Sequence, residues 1–307
     1  MLLIYLVFII ANICSIKSHD WGYTDENGPN NWPGVCKNGK RQSPINIETD
    51  NTLKDDLGSL KFLHYDYAFT GILTNTGHNV QITLSGVPIF LSGGGLTSKY
   101  VLEQMHFHWG AEHTIDGTRD ALELHLVHHD KKYENVSIAS QHDDGVAVVA
   151  VLFKVITMMM IIIMMIIMMM LSDDDNDNLY AILKAAESVS QWVGKSSIEI
   201  QRKVIPVHLL PNDRTTFYRY SGSLTTPGCQ ESVVWFVMTE KLTISESQVK
   251  ILKNVQTHNG TLASNYRPTQ EAGDRKVYHH LLGYSSSPIS TPTPFVFLIA
   301  AILSSLF

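Results

Sequence analysis

Between Gln42 and Trp109 the chain advances in short runs of alternating apolar and polar residues, Val80 to Leu84 and Val101 to Trp109 among them, broken by Gly, Pro, Asn and Asp. A period of two buries one face of a strand, and many short runs bounded by turn residues predict a β-dominated domain. Ala121 to His128, Val146 to Val155, Val204 to His208 and Ser232 to Met238 continue the pattern. One stretch changes period: from Asn178 to Gly194, the residues Leu179, Ile182, Leu183 and Ala186 fall at i, i+3, i+4 and i+7, which predicts a helix. No repeat or interdomain linker interrupts residues 19–284, which read as one domain.

The two ends follow a different pattern. Leu2 to Ile10 is an apolar run, followed by Ser15-Ile16-Lys17-Ser18 and then polar His19-Asp20, so residues 1–18 read as a secretory signal. Residues 285–307 open with Ser285-Ser286-Ser287, pass through a proline-rich spacer and end in apolar Phe295 to Phe307. That tail is short of the roughly 20 residues of a spanning helix and fits a signal for GPI attachment, after which lipid would hold the chain on the outer membrane leaflet. A plain secreted form is the alternative.

Residues 157–171 form a Met/Ile run followed by Asp173-Asp174-Asp175-Asn176-Asp177-Asn178. A membrane span here would split one site between two compartments. An ATG/ATA repeat encodes Met and Ile, and shifted by one base it encodes Asp and Asn, so the run reads as a microsatellite or a misread intron boundary inserted at a loop.

Composition narrows the functions. Among 307 residues, 23 Lys+Arg against 29 Asp+Glu leave a net charge of −6 with no clustered basic stripe, which speaks against nucleic acid. Of three cysteines, Cys14 falls in the signal, leaving Cys36 and Cys229, an even pair that in an exported chain suggests one disulfide. The sequons at Asn135 and Asn259 agree with export and glycosylation.

The chemistry lies in the histidines. In Gln104-Met105-His106-Phe107-His108-Trp109, strand geometry puts Gln104, His106 and His108 on one face. In Glu123-Leu124-His125-Leu126-Val127 the same period puts Glu123, His125 and Val127 on one face and the leucines on the other, so a neighbouring strand can supply a third nitrogen. Three imidazoles make the open site of a catalytic Zn²⁺, whereas structural zinc sites take four protein ligands. Gln104 and Glu123 are placed to accept from the other ring nitrogens of their histidines. His113, His128 and His129 read as surface or loop residues with no role.

From about Trp21 to Leu281 the chain resembles the α-carbonic anhydrases. The resemblance rests on Asp20-Trp21-Gly22-Tyr23, Arg41-Gln42-Ser43-Pro44-Ile45-Asn46-Ile47, Asn75-Thr76-Gly77-His78, Gln104 to Gly110, Glu112-His113-Thr114, Glu123 to His128, Gly222-Ser223-Leu224-Thr225-Thr226-Pro227 and Asn265-Tyr266-Arg267-Pro268. It implies a β-dominated α+β fold, a single domain around a central, twisted, mostly antiparallel sheet with short flanking helices and a cone-shaped cleft. It also implies reversible hydration of CO₂ to bicarbonate and a proton, by attack of zinc-bound hydroxide formed from water.

By position, His106, His108 and His125 resemble the zinc ligands, with Gln104, Glu123 and the Asn265 carbonyl as their partners. Thr225 resembles a gatekeeper that donates to Glu112, and His78 resembles a proton shuttle. Val127, Val148, Leu224 and Trp235 resemble the apolar wall for CO₂, Thr226 and Gln81 the polar rim, and Cys36 with Cys229 the disulfide of exported members. Three features depart from the family's pattern: only Ala111 separates Gly110 from Glu112, Thr76 replaces an Asn beside His78, and the Met/Ile run falls just after the strand that carries Val148. Two alternatives to the hydratase stand, a non-catalytic carbonic-anhydrase-related binding ectodomain and a zinc esterase.

Overall fold

A computed structural model describes residues 21–155, 176–191, 193 and 197–283. The signal at 1–18, Asp20, the Met/Ile run at 157–171 and the tail at 285–307 lie outside the described residues. Among the described residues no helix is long and apolar enough to cross a membrane.

Ten strands form the main path of a thirteen-stranded sheet. In chain order they are β1 (Leu53–Asp55), β2 (Thr70–Asn75), β3 (Val80–Ser85), β4 (Tyr100–Trp109), β5 (Leu122–Asp130), β6 (Val146–Val155), β7 (Ser197–Glu199), β8 (Phe217–Gly222), β9 (Val233–Met238) and β10 (Tyr278–His280). Across the sheet they run β7-β2-β3-β4-β5-β6-β9-β8-β10-β1. Only β6–β9 and β10–β1 on this path are parallel. The fold is therefore the expected single, mostly β domain, its sheet mixed at those two pairs.

Both faces of the central strands are covered, which is why β6 and β9 read as near-continuous apolar runs, with Val146 to Phe153 and Val233 to Met238 buried throughout. One face carries the larger core, which includes Leu122, Leu124 and Leu126 from β5, Met105 and Phe107 from β4 and a helix, α1 (Asp177–Ser188). The other face carries a smaller cluster with Val127, Val148 and Trp235, and it is this side that opens into a cleft.

Two expectations differ from what forms. The helix of the 178–194 pattern stops at Ser188, and Leu179, Ile182, Leu183 and Ala186 are its buried face. Val189 remains buried, but there the chain turns away, tied by the Ser190 carbonyl accepting from Gln256 N at 2.7 Å. The run Val204 to His208 is no strand: after a single bridge between Val204 and Phe69 it enters a 3-10 turn at Pro206–Leu209. Pro206 lacks the N–H a ladder needs and its fixed φ suits the start of a helical turn.

Candidate metal centre and its cleft

Antiparallel pairing of β4 with β5 sets His125 opposite His106 and Glu123 opposite His108. Alternation on each strand then brings the three imidazoles together, with their ligating nitrogens all within 4.8 Å. His106 Nε2 lies 3.1 Å from His108 Nε2 and 3.3 Å from His125 Nδ1.

The opposite nitrogen of each ring meets an acceptor. His106 Nδ1 donates to Gln104 Oε1 at 2.8 Å, His108 Nδ1 to the Asn265 carbonyl at 2.8 Å, and His125 Nε2 to Glu123 Oε1 at 2.7 Å. Because each neutral imidazole has only one N–H, the three converging nitrogens present lone pairs. Burial, and the neighbouring imidazoles, hold His106 well below the usual histidine range, and burial lowers His108 too, which favours the neutral rings a metal needs.

Three lone pairs facing one another repel unless a cation lies between them. A tetrahedral Zn²⁺ with Zn–N near 2.0–2.1 Å separates its nitrogens by about 3.3–3.4 Å, close to the 3.1 and 3.3 Å found here. Charge, spacing and tautomers therefore all fit a zinc ion with one position left open.

A cleft of about 280 Å³ leads to this centre. Val127, Val148, Leu224 and Trp235 line one side and Gln81, Thr226, Thr76 and Asn79 contribute polar groups, with His78 at its margin. His78 is half-buried and stacks on Trp21, with ring centroids 3.6 Å apart at 11°.

Glu112 is fully buried below the cleft. Its Oε1 accepts from Arg267 N at 2.9 Å and lies 3.5 Å from His108 Nδ1, while Oε2 has no hydrogen-bond partner among the described residues. Thr225 is buried and lines the cleft, but its hydroxyl makes no hydrogen bond to Glu112 in this structure. The short Gly110-Ala111 link still delivers Glu112 to the interior, with Gly110 at φ +79° and its N–H bonded to the Ala121 carbonyl at 2.7 Å.

Residues 27–281 match the family model for eukaryotic-type carbonic anhydrase. The chain belongs to the eukaryotic-type carbonic anhydrase family. It is 35% identical over 272 residues to the protein named "Putative carbonic anhydrase 3" of Caenorhabditis elegans, covering 84% of this chain and 97% of that one. Against carbonic anhydrase 4 of Oryctolagus cuniculus it is 30% identical over 290 residues, covering 91% and 88%. Carbonic anhydrase 6 of Mus musculus is 33% identical over 286 residues, with 87% and 83% covered.

Within this carbonic anhydrase fold, three histidines read as surface or loop residues are buried instead. His113 is wholly enclosed: Nδ1 donates to Glu123 Oε1 at 2.7 Å, Nε2 meets the Tyr220 hydroxyl at 2.7 Å, and the backbone N donates to Glu123 Oε2 at 2.8 Å. Burial raises the Glu123 carboxyl, but His113 and His125 beside it hold it well below the usual carboxylate range. His113 thus anchors the carboxylate that orients His125. The clue was in the sequence: Glu112-His113-Thr114 lies close before β5, yet its hairpin partner could not be read from spacing.

His128 is also fully buried, its Nδ1 donating to the Ala147 carbonyl at 3.1 Å and its Nε2 accepting from the Tyr65 hydroxyl. His129 lies 3.0 Å from Glu103 Oε2, and that carboxylate also caps Val136 N at 2.6 Å, fixing a cleft-lining residue. Trp21 and Val136 also line the cleft and Arg267 N holds Glu112, placements that no spacing in the sequence indicates.

Cys36 and Cys229 form a disulfide, S–S 2.05 Å, joining positions 193 apart. Asn135 caps the turn Val136–Ala139 by accepting from Ile138 N at 3.0 Å, and Asn259 Oδ1 accepts from Asn27 Nδ2 at 3.3 Å.

Proposed function

We propose that this chain is a zinc-dependent carbonate dehydratase that interconverts CO₂ and bicarbonate. The observation that carries the reading is the set of three converging imidazole lone pairs, each tautomer fixed from behind, at the foot of a cleft with an apolar wall. His106, His108 and His125 would hold the ion. Zinc in such a site supplies nucleophile activation, by lowering the pKa of a coordinated water to about 7.

The chain's own groups do the rest. Val127, Val148, Leu224 and Trp235 give an uncharged, linear substrate an apolar resting place beside the centre, with no charge to compete for it. A carboxylate at Glu112 would only accept, so the Thr225 hydroxyl, once turned toward Oε2, would donate there and keep a lone pair toward the reacting oxygen, selecting its orientation. Gln81 and Thr226 form the polar edge through which bicarbonate exchanges with water. His78 at the margin takes the proton out, since histidine is the side chain that ionises nearest neutral pH.

The non-catalytic alternative finds no support in a surface that keeps an open three-nitrogen site, and the narrow apolar wall favours CO₂ over an ester. The disulfide supports export, and we infer that the 1–18 signal, glycosylation at Asn135 and Asn259 and a lipid anchor after the 285–307 tail belong to that route. Stopped-flow CO₂ hydration with purified protein, before and after a chelator and with zinc restored, tests the function. Activity that disappears on chelation and returns with zinc is expected. Zinc-loaded protein with no hydration would overturn the reading.

A further inference from the structure

We propose that His258 receives the proton from His78 and passes it to solvent, so that the exit from the cleft is a relay of two imidazoles; this rests on the hydratase reading above. His258 sits in the hairpin Gln256–Thr261, far from the motifs that mark the site. Its ring centroid is 5.0 Å from that of His78, at 59°. His78 lines the cleft and is half-buried, whereas His258 is exposed, so the pair spans the boundary between cleft and bulk.

The local backbone is built to hold that pair. His258 N donates to the Gly77 carbonyl at 3.0 Å, and the His258 ring lies so close over Gly77 that a Cβ there would come within 2.2 Å of Nε2. Only glycine admits the contact, and with φ +85° it also suits the turn. Asn75 ties the two segments, with Oδ1 accepting from Gly77 N at 2.9 Å and Nδ2 donating to the Gln256 carbonyl at 2.9 Å. One face of His78 is covered by Trp21, which does not ionise, so protons must pass at the ring edge, where the nitrogens are.

The step balances without any further reactant. Neutral His78 accepts a proton at one ring nitrogen from the cleft side. The resulting cation loses a proton to neutral His258, directly or through one water, and His258 releases it to buffer. Both rings end each cycle neutral.

The test uses His258→Phe, which keeps a ring over Gly77 but carries no proton, with His78→Ala and the double variant. In weak buffer, kcat of His258→Phe should fall by roughly tenfold, less than the ~10² typical of losing a positioned proton-transfer group outright, because His78 can still release to water. KM should fall with it so that kcat/KM stays unchanged, imidazole buffer should restore kcat, and the double variant should be no slower than His78→Ala. Independently of activity, NMR of the metal-free chain should show through-space contacts between the His78 and His258 ring protons, as the 5.0 Å centroid separation requires. Unchanged kcat in an otherwise active protein, additive losses in the double variant, or no contact between the two rings would each overturn the relay. A parent protein that holds zinc but hydrates no CO₂ would overturn the hydratase reading first.

Discussion

Replacing His128 by Gln should change how stability depends on pH far more than it changes stability at neutral pH. Burial lowers the His128 pKa to about 3, and its neutral ring is locked between the Ala147 carbonyl and the Tyr65 hydroxyl. In the unfolded chain the same ring titrates near 6.5. Between those values the unfolded state binds a proton that the native state refuses, so stability is present above about pH 6.5 and is lost as pH falls. With a native value of about 3, the loss from pH 7 to pH 5 is about 2 kcal/mol. A glutamine amide can donate to Ala147 and accept from Tyr65 without titrating. Urea unfolding across pH 5 to 7.5 should therefore show the variant no more than about 1–1.5 kcal/mol below the parent at neutral pH, with the gap closing or reversing toward pH 5. Differencing the two curves cancels every other titrating group. Parallel curves would refute the argument, because they would mean that His128 binds its proton equally in both states.

Glu123→Gln should weaken zinc affinity by roughly 10–100-fold in competition with a chromogenic chelator, because the amide cannot accept at once from His125, the His113 ring and His113 N. Thr225→Ala should retain stoichiometric zinc by elemental analysis yet lose about 10²-fold in CO₂ hydration; an unchanged rate would remove its orienting role. Serine at both Cys36 and Cys229 should cost roughly 2–5 kcal/mol in denaturant unfolding, since the bridge closes a loop spanning most of the domain.

The convergence of the three histidines was legible because strand alternation is rigid: once two histidines are separated by one residue, both must face one side, and the leucines of β5 identify the core side unaided. Gln104 and Glu123 obey the same arithmetic. His128 did not yield to it, for two reasons. A polar residue at the end of an apolar strand looks like a solvent-facing terminus, and the β4–β5 register slips between Val127 and His128, so the count of positions from the metal ligands no longer applies. Asn265, Arg267 and Trp21 reach the site from loops, and no local pattern encodes where a loop lands; only resemblance pointed to Asn265. Val204 to His208 misled because β-branched residues outweighed one proline whose missing N–H decides the matter.

Asn265 also sets a clock on biogenesis. Its carbonyl orients His108, its Oδ1 accepts from Trp109 N at 2.7 Å, and its Nδ2 reaches the His78 carbonyl at 3.0 Å. A ribosome that has synthesised all three candidate ligands must add a further 140 residues, the interval from His125 to Asn265, before the last of the supporting acceptors exists. Metal captured earlier would bind a site whose second imidazole is free to rotate. On the export route proposed above, the chain would reach the far side of the membrane before that support exists, and would acquire the ion in the compartment in which it finishes folding.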